Sequence, residues 1–188
     1  MKTLAIECSS SRGSIAVTDG DHPGFSLDFE NPRGRGGEFF SALKEAVSCC
    51  GDFDQVLVGT GPGSYNGLRA SIAAAWGLAR ARGAVLKGIP SVFGYDAPEY
   101  FVLGDARAGQ WFFAHIRHGV LASPIELLPP EQAAARLAYG IPVFSTSPML
   151  DSACCEAPQA RFFIRHLQQS GPAEPIYLKP PHITKSAA

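Results

Sequence analysis

The chain has 188 residues, of which 46% are apolar and 18% are charged, and its formal net charge is −1. This length allows one domain or two small ones with a real apolar core, and no apolar run reaches the roughly 18 residues needed to span a bilayer. The near-zero charge excludes a protein whose whole surface attracts nucleic acid nonspecifically. Residues 1–7 enter a strand-like pattern without a leader peptide, which predicts a cytoplasmic protein.

The cysteines and the basic residues indicate no special chemistry. The five cysteines are Cys8 and the adjacent pairs at 49–50 and 154–155, an odd number without a C-x-x-C spacing. We therefore expect reduced thiols, no bound metal and no cofactor. Short basic clusters at 33–35 and 179–185 are typical of solvated loops and tails.

The first half of the chain is predicted to alternate strands and helices. Its first helix carries an apolar face made of Phe39, Leu43, Ala46, Val47 and Cys50. The predicted elements are strands at 2–8, 12–18 and about 24–29, a helix beginning near 39, a strand at 55–59, a helix at 66–82 and a strand at 85–89. This βββαβαβ order is typical of a lobe of the actin-like, ribonuclease-H-like α/β fold.

The pattern of elements restarts near residue 98 in a shortened form. The predicted elements of the second half are strands at about 100–104, 110–117 and 120–127, a helix at 130–138, a strand at 141–145 and a helix at 159–169. We therefore predict two lobes, 1–97 and 98–188, of which the second is shortened.

A glycine-rich loop between the strand at 55–59 and the following helix is the most informative segment. Its residues are Gly59-Thr60-Gly61-Pro62-Gly63-Ser64-Tyr65-Asn66-Gly67-Leu68-Arg69. The spacing fits neither a P-loop nor a dinucleotide-binding fingerprint, and Ser64 lacks the flanking glycines of a nucleophile elbow. Ser64 is expected to organise the turn or the start of the helix through its hydroxyl.

Residues 61–69 of this loop resemble the G-P-G-S-[FY]-T-G-[LV]-R signature of the TsaB (YeaZ) family of tRNA threonylcarbamoyladenosine biosynthesis proteins. Three further segments agree in order with the family: residues 4–9, Asp105-Ala106-Arg107 and residues 175–179. The resemblance covers the whole chain. It implies an actin-like fold and a non-catalytic protein that binds and supports a TsaD-like transferase.

The same resemblance implies a set of partners. A TsaE-like ATPase and a second copy of this chain are expected to join the transferase, and tRNA is expected to be contacted mainly through the partner. Two alternatives from other functional classes stay open. One is a small actin-like ATP-binding enzyme, an ATPase or kinase relative, and the other is a glycoprotease-like peptidase.

The chain departs from the family pattern at three places. Glu7-Cys8 stands where the family usually has Asp-Thr, which makes a magnesium–nucleotide site less favourable. Gly36-Gly37 replaces a histidine that often precedes the first helix, and Asn66 replaces a threonine of the signature. Asn and Thr both cap helices, so the loop is expected to be preserved.

Two groups of residues are candidates for a functional site. Polar residues that would face the cleft between actin-like lobes are Glu7, Ser9, Asp105 and Arg107, with Ser10 and Ser11 beside them. In the helix at 66–82, Leu68, Ile72, Ala75 and Ala79 form the stripe expected to pack on the chain's own sheet. The expected partner-binding residues are Phe39, Phe40, Ala70, Ala73, Ala74, Gly77 and Ala81.

Overall fold

The computed structural model describes residues 1–20, 22–31 and 36–179. The basic cluster predicted at 33–35 and the end of the cluster at 179–185 lie outside the described residues. Within the described part, the chain forms two mixed β-sheets with helices packed against them. No helix of this part is long and apolar enough to cross a membrane.

The first sheet contains five strands in the order β3-β2-β1-β4-β5. The strands are β1 (Lys2–Glu7), β2 (Arg12–Asp19), β3 (His22–Glu30), β4 (Gln55–Gly59) and β5 (Val85–Ile89). The first three pair antiparallel, whereas β4 pairs parallel to β1 and β5 pairs parallel to β4. The order predicted from the sequence for this half is confirmed.

Side chains alternate between the two faces of the first sheet, and each face has its own partner. Leu4 and Ile6 of β1 belong to an apolar cluster with helices α1 (Gly37–Cys50) and α2 (Tyr65–Arg82). Ala5, which lies between them, belongs instead to a cluster with the second half of the chain. The helices therefore cover one face of the sheet and the second half covers the other.

The second sheet has six strands in the order β11-β10-β6-β7-β8, with β9 also paired to β7. Its strands are β6 (Glu99–Asp105), β7 (Trp111–Arg117), β8 (Val120–Leu121), β9 (Glu126–Leu128), β10 (Val143–Ser145) and β11 (Cys154–Cys155). A short helix, α3 (Pro130–Ala135), lies between β9 and β10, and 3₁₀ segments occupy Ser91–Phe93 and Ala160–Gln169.

The second half differs from its prediction at several elements. The single strand expected at 120–127 is two short strands, because Pro124 lies between them and has no N–H to donate to β7. The helix expected at 159–169 is 3₁₀ with a kink at His166, whose φ of −118° is not helical. The His166 ring stacks on Phe93 at 4.9 Å between ring centroids. Strand β11 was not predicted.

Residues 171–176 return to the first sheet. Gly171 forms a β-bridge with Gly88 of β5, and the backbone N–H of Ile176 donates to the carbonyl oxygen of Thr60 at 2.8 Å. The predicted α/β fold in two parts is confirmed, with one sheet in each part and shorter elements in the second. The boundary between 97 and 98 stays a prediction, since residues 160–176 pack against both halves.

Candidate functional site

The glycine-rich loop packs between the end of β1 and the 3₁₀ turn Ser91–Phe93. The backbone N–H of Ser64 donates to the carbonyl oxygen of Ser9 at 2.6 Å. On the other side, the N–H of Gly61 donates to Ser91 Oγ at 3.0 Å, and the N–H of Ser91 donates to the carbonyl oxygen of Gly61 at 2.8 Å. The loop is therefore fixed on both flanks by the protein's own backbone and side chains.

Two glycines of the signature allow this close contact. A Cβ atom at Gly63 would overlap the backbone of Ser9, and one at Gly67 would overlap the carbonyl oxygen of Cys8. Only a residue without a side chain fits where two backbones approach so closely. These two signature glycines therefore allow close contact between the loop and the segment that follows β1.

Ser64 caps the helix that follows the loop, as predicted. It is the N-cap residue of α2, and its Oγ accepts a hydrogen bond from the backbone N–H of Gly67 at 3.3 Å. Asn66 is exposed in the first turn. In the described part of the chain, no histidine is hydrogen-bonded to the Ser64 hydroxyl.

Glu7 is a fully buried carboxyl group at the end of β1. Its side chain is completely buried, it accepts a hydrogen bond from the backbone N–H of Ser9, and Ser91 Oγ donates to Glu7 Oε2 at 2.7 Å. Burial raises the pKa of Glu7, although these hydrogen bonds partly offset the effect. A Cβ at Gly59 would overlap the carboxylate.

The buried position of Glu7 corrects the expectation that it lines an open cleft. Its oxygens face Ser9, Ser91 and the strand β4, so no substrate reaches them in this structure. The carboxylate instead links the end of β1 to the turn that holds Gly61. The signal in the sequence was the unusual glutamate, but its partner Ser91 lies 84 residues away.

Asp105, the last residue of β6, and Arg107, in the turn that follows, are the other predicted cleft residues, and both are exposed. Asp105 Oδ1 accepts a hydrogen bond from the backbone N–H of Arg107 at 2.7 Å, and Arg107 has a φ of 59°. Lys179 Nζ donates to the carbonyl oxygens of Ala106 and Arg107 at 3.0 and 2.8 Å. Asp105 therefore organises this turn, and Lys179 links the turn to the segment that contains Tyr177.

The structure does not bring Glu7 and Asp105 together as a pair of carboxylates. One is buried and bonded to Ser9 and Ser91, whereas the other is exposed and bonded within its own turn. The part of the chain that the structure describes contains no group of three or more His, Cys, Asp or Glu residues that could hold a metal ion. The expectation that the chain folds without metal stays a prediction.

The outer face of α2 is open, as its small residues indicated. Ala73, Gly77 and Ala81 are exposed, and Ala70 and Ala74 are half-buried. The opposite stripe, predicted to pack on the sheet, is buried at Leu68, Ile72, Ala75 and Ala79.

Helix α1 contributes only part of what was expected of it. Phe40 is exposed, but Phe39, expected on the partner surface, is 2% exposed and packs inward with its ring 6.0 Å from that of Phe29. The reason is that α1 turns Phe39 toward the same face as Ala42 and Ala46, which lie on the core side.

Sequence reasoning missed two aromatic features beside this face. Trp76 is 59% exposed and lies on the open side of α2 one turn from Ala73. Tyr65 at the start of α2 packs against Tyr177, with ring centroids 5.4 Å apart. A helical wheel would have placed Trp76 outside the buried stripe, whereas the Tyr65–Tyr177 contact joins distant segments and has no local signal.

Comparison with known proteins identifies relatives of parts of the chain. The family described as "TsaD: tRNA N6-adenosine threonylcarbamoyltransferase" matches residues 39–112, less than half of the chain. Uncharacterised proteins of Mycobacterium bovis and Mycobacterium tuberculosis are 34% identical over 83 residues, which is 43% of this chain. That segment spans 39% of the length of those relatives.

Comparison of structures covers nearly all of the chain. YeaZ from Pseudomonas aeruginosa superposes with a TM-score of 0.73 at 19% identity, over 94% of this chain and 99% of that one. A protein described as uncharacterised, with similarity to the peptidase YeaZ of Pseudomonas aeruginosa, superposes with a TM-score of 0.74 at 19% identity, over 95% and 99% of the two chains. The predicted resemblance to the TsaB (YeaZ) family is thus confirmed at the level of the fold.

Proposed function

We propose that this chain, which has the YeaZ fold over nearly its whole length, is a non-catalytic subunit of a complex that makes threonylcarbamoyladenosine in tRNA. It binds a TsaD-like transferase and supports its activity in the cytoplasm. A TsaE-like ATPase and a second copy of the chain are the other proposed partners. The transfer chemistry and the main tRNA contact belong to the transferase.

The open face of α2 is the observation that carries this proposal. A helix whose outer residues are alanine and glycine lets another helix approach closely. Trp76 supplies such a side chain next to Ala73 and Gly77. Tryptophan is enriched among the few residues that dominate the free energy of protein association.

The geometry of the signature loop favours a non-catalytic role for this chain over a catalytic one. Ser64 is used as a helix cap, and Glu7 is buried against Ser91. Neither side chain is arranged to attack or to activate a substrate. The residues most typical of the signature are therefore explained by the need to hold the loop against β1.

The decisive variant is Trp76→Ala. We expect it to weaken association with a TsaD-like transferase by about 2 kcal/mol, or roughly thirtyfold in Kd, as for an interface hot spot. The free energy of unfolding of the isolated chain should change little, because the side chain is already exposed. Association is measured by isothermal titration calorimetry with the purified partner, and folding by circular dichroism.

A matched control is available in Tyr139→Ala, which removes a fully exposed aromatic side chain away from α2. Equal affinities of the two variants would place the interface elsewhere. Ala73→Arg adds a second test on the exposed side of the helix. It is preferable to a change at Ala74, which packs partly against the chain's own core.

Support of the transferase is measured as threonylcarbamoyl transfer to tRNA by the partner, with and without this chain. We expect transfer to require the chain, to be lost in Trp76→Ala, and to persist in Glu7→Gln. ATP hydrolysis or peptide cleavage by the isolated chain that disappears in Glu7→Gln or Ser64→Ala would contradict the proposal and favour one of the enzyme alternatives.

A further inference from the structure

A cluster of aromatic and basic side chains lies at the N-terminal end of α2, where three separate parts of the chain meet. Tyr65 and Tyr177 are 45% and 46% exposed, so about half of each ring faces solvent although the two rings contact one another. The guanidinium of Arg69 lies 5.2 Å from the centre of the Tyr65 ring, and its Nη1 donates to the Tyr65 hydroxyl at 2.8 Å. The two rings and one cation thus form a fixed platform.

The basic groups continue beyond the tyrosines. Lys179 follows Tyr177 by two residues, a separation of at most about 7 Å along the chain. Its ammonium binds the backbone of the turn that exposes Arg107. Lys179 thus joins the segment that carries Tyr177 to the turn that carries Arg107. We call Tyr65, Arg69, Arg107, Tyr177 and Lys179 the aromatic–basic platform.

Few acidic groups compete with these cations. Helix α2 contains no aspartate or glutamate, and Arg69 makes no ion pair among the described residues. Asp105, whose Oδ1 accepts a hydrogen bond from the backbone N–H of Arg107, sets one negative charge against the three cations of the platform. On a chain with a net charge of −1, this is a local concentration of positive charge.

We infer that the aromatic–basic platform binds unpaired bases of single-stranded RNA, with the tyrosine rings stacking on bases and the flanking cations contacting phosphates. Proteins that bind single strands combine exposed aromatic faces with a basic track for the backbone. A protein partner is the less favoured occupant, because its apolar groups are better matched by Trp76 and the alanines. Trp76 lies about 16 Å farther along α2.

The inference rests on the proposed function, because RNA is the substrate class of the proposed complex. It adds a direct contact between this chain and RNA, whereas the net charge of the chain suggested contact through the partner only. The platform would hold RNA at the edge of the partner surface. The platform would position the RNA and would take no part in the transfer chemistry, which belongs to the transferase.

The experiment measures fluorescence anisotropy of a labelled oligouridylate of about 12 nucleotides, within the site size of single-strand binding folds. The isolated chain is titrated at about 0.01 M ionic strength, where charge screening is weak, and then at rising salt. We expect saturable binding that Tyr177→Ala weakens about tenfold and Tyr177→Phe retains, because a ring is needed for stacking. A duplex RNA of the same length should bind more weakly, since its bases are not exposed.

The charge contribution is tested with Arg69→Gln. Loss of one phosphate contact should reduce the slope of log affinity against log salt by about 0.7. Tyr139→Ala and Arg117→Ala are the matched controls, an exposed tyrosine and an exposed arginine outside the platform, and both should behave as wild type.

Two outcomes would overturn the inference. One is absence of binding at low salt, or binding that Tyr177→Ala and Tyr139→Ala affect equally. The other is a Tyr177→Ala variant that loses affinity for the transferase while its RNA binding is unchanged, which would assign the platform to the protein interface. Failure of the proposed function would appear instead in the Trp76→Ala titration with the transferase, so the two failures are distinguishable.

Discussion

The two sheets of the chain are built in different ways. The first has strands of five to nine residues and two helices of 14 and 18 residues, each with a continuous buried face. In the second, β8 and β11 have only two residues and α3 has six. Local regularity therefore explains most of the first sheet, whereas the second depends on contacts between distant segments.

The contacts that compensate for short elements are aromatic and lie between the sheets. Phe163 and Tyr100 are buried in one apolar cluster with Leu57 and Ala5 of the first sheet. The Tyr100 hydroxyl also donates to the carbonyl oxygen of Val92 at 3.0 Å. The second sheet is thus packed against the first over a shared core, and we expect the two to unfold together.

The largest effect on stability is expected for Phe163→Ala, which removes an aromatic ring from the core that the two sheets share. The ring is fully buried, so its removal should lower the free energy of unfolding by about 3–5 kcal/mol. Urea unfolding is followed by circular dichroism and by tryptophan fluorescence. The exposed Phe40→Ala is the matched control and should cost far less.

The two tryptophans of the chain make the test specific to each sheet. Trp76 lies on α2 beside the first sheet, and Trp111 begins β7 of the second. In a Trp76→Phe background, fluorescence reports only the second sheet, while circular dichroism reports the whole chain. If the unfolding midpoints from fluorescence and circular dichroism differ by more than their experimental error, the two sheets do not unfold as one shared core.

The next largest loss of stability is expected when a glycine is replaced by alanine, and one such glycine is compared in each half of the chain. Gly67→Ala places a methyl group against the carbonyl oxygen of Cys8, which is fixed backbone, whereas Gly104→Ala places it against the ring of Phe112, which can move. Overpacking costs about 1–3 kcal/mol, so we expect about 3 for Gly67→Ala and about 1 for Gly104→Ala. Thermal or urea unfolding measures both, and the reverse order would show that the signature loop is the more adaptable region.

The pH dependence of stability should distinguish Glu7 in the first half from His166 in the second. The pKa of Glu7 is raised from 4.5 by burial, so the folded state holds its proton more tightly than the unfolded chain does. Its contribution is fully present below pH 4.5 and is lost as the pH rises through the raised pKa. The pKa of His166 is lowered from 6.5 by burial, and its contribution is lost as the pH falls below 6.5.

The comparison is measured as the free energy of urea unfolding across this pH range for wild type, Glu7→Gln and His166→Asn. As the pH rises, the free energy of unfolding of wild type should fall relative to that of Glu7→Gln. As the pH falls, the free energy of unfolding of wild type should fall relative to that of His166→Asn. A flat difference for Glu7→Gln would mean that the hydrogen bonds from Ser9 and Ser91 cancel the cost of burial.

Sequence patterns predicted most of the first half because its signals are local. The strands at 55–59 and 85–89 match β4 and β5, since apolar runs there are bounded by Asp, Gly and Pro residues. Ser64 was predicted as the residue that organises the start of α2 from its place before a helical run. In the second half, Pro124 lies between the two short strands that replace one predicted strand. The predicted helix at 159–169 is 3₁₀ with a kink at His166, whose ring stacks on Phe93.

The candidate site was less predictable because its features join residues far apart in the chain. The burial of Glu7 depends on Ser91, and the exposed ring pair depends on Tyr177 meeting Tyr65. The inward position of Phe39 follows from the rotation of α1 on the sheet, which the identities of neighbouring aromatic residues did not reveal. Composition and periodicity specify a face but do not specify which distant segment covers it.

The smallest effect is expected for Gly77→Ala, which separates the requirements of folding from those of association. Gly67 and Gly77 belong to the same helix, but a Cβ at Gly77 meets no atom within 4 Å. Replacing an exposed glycine inside a helix with alanine should therefore stabilise the chain by about 0.5–1 kcal/mol. The same methyl group thickens the surface that we propose as the partner interface. We expect higher stability by urea unfolding together with weaker association with the transferase by calorimetry, and a variant that gains stability without losing affinity would place the partner away from Gly77.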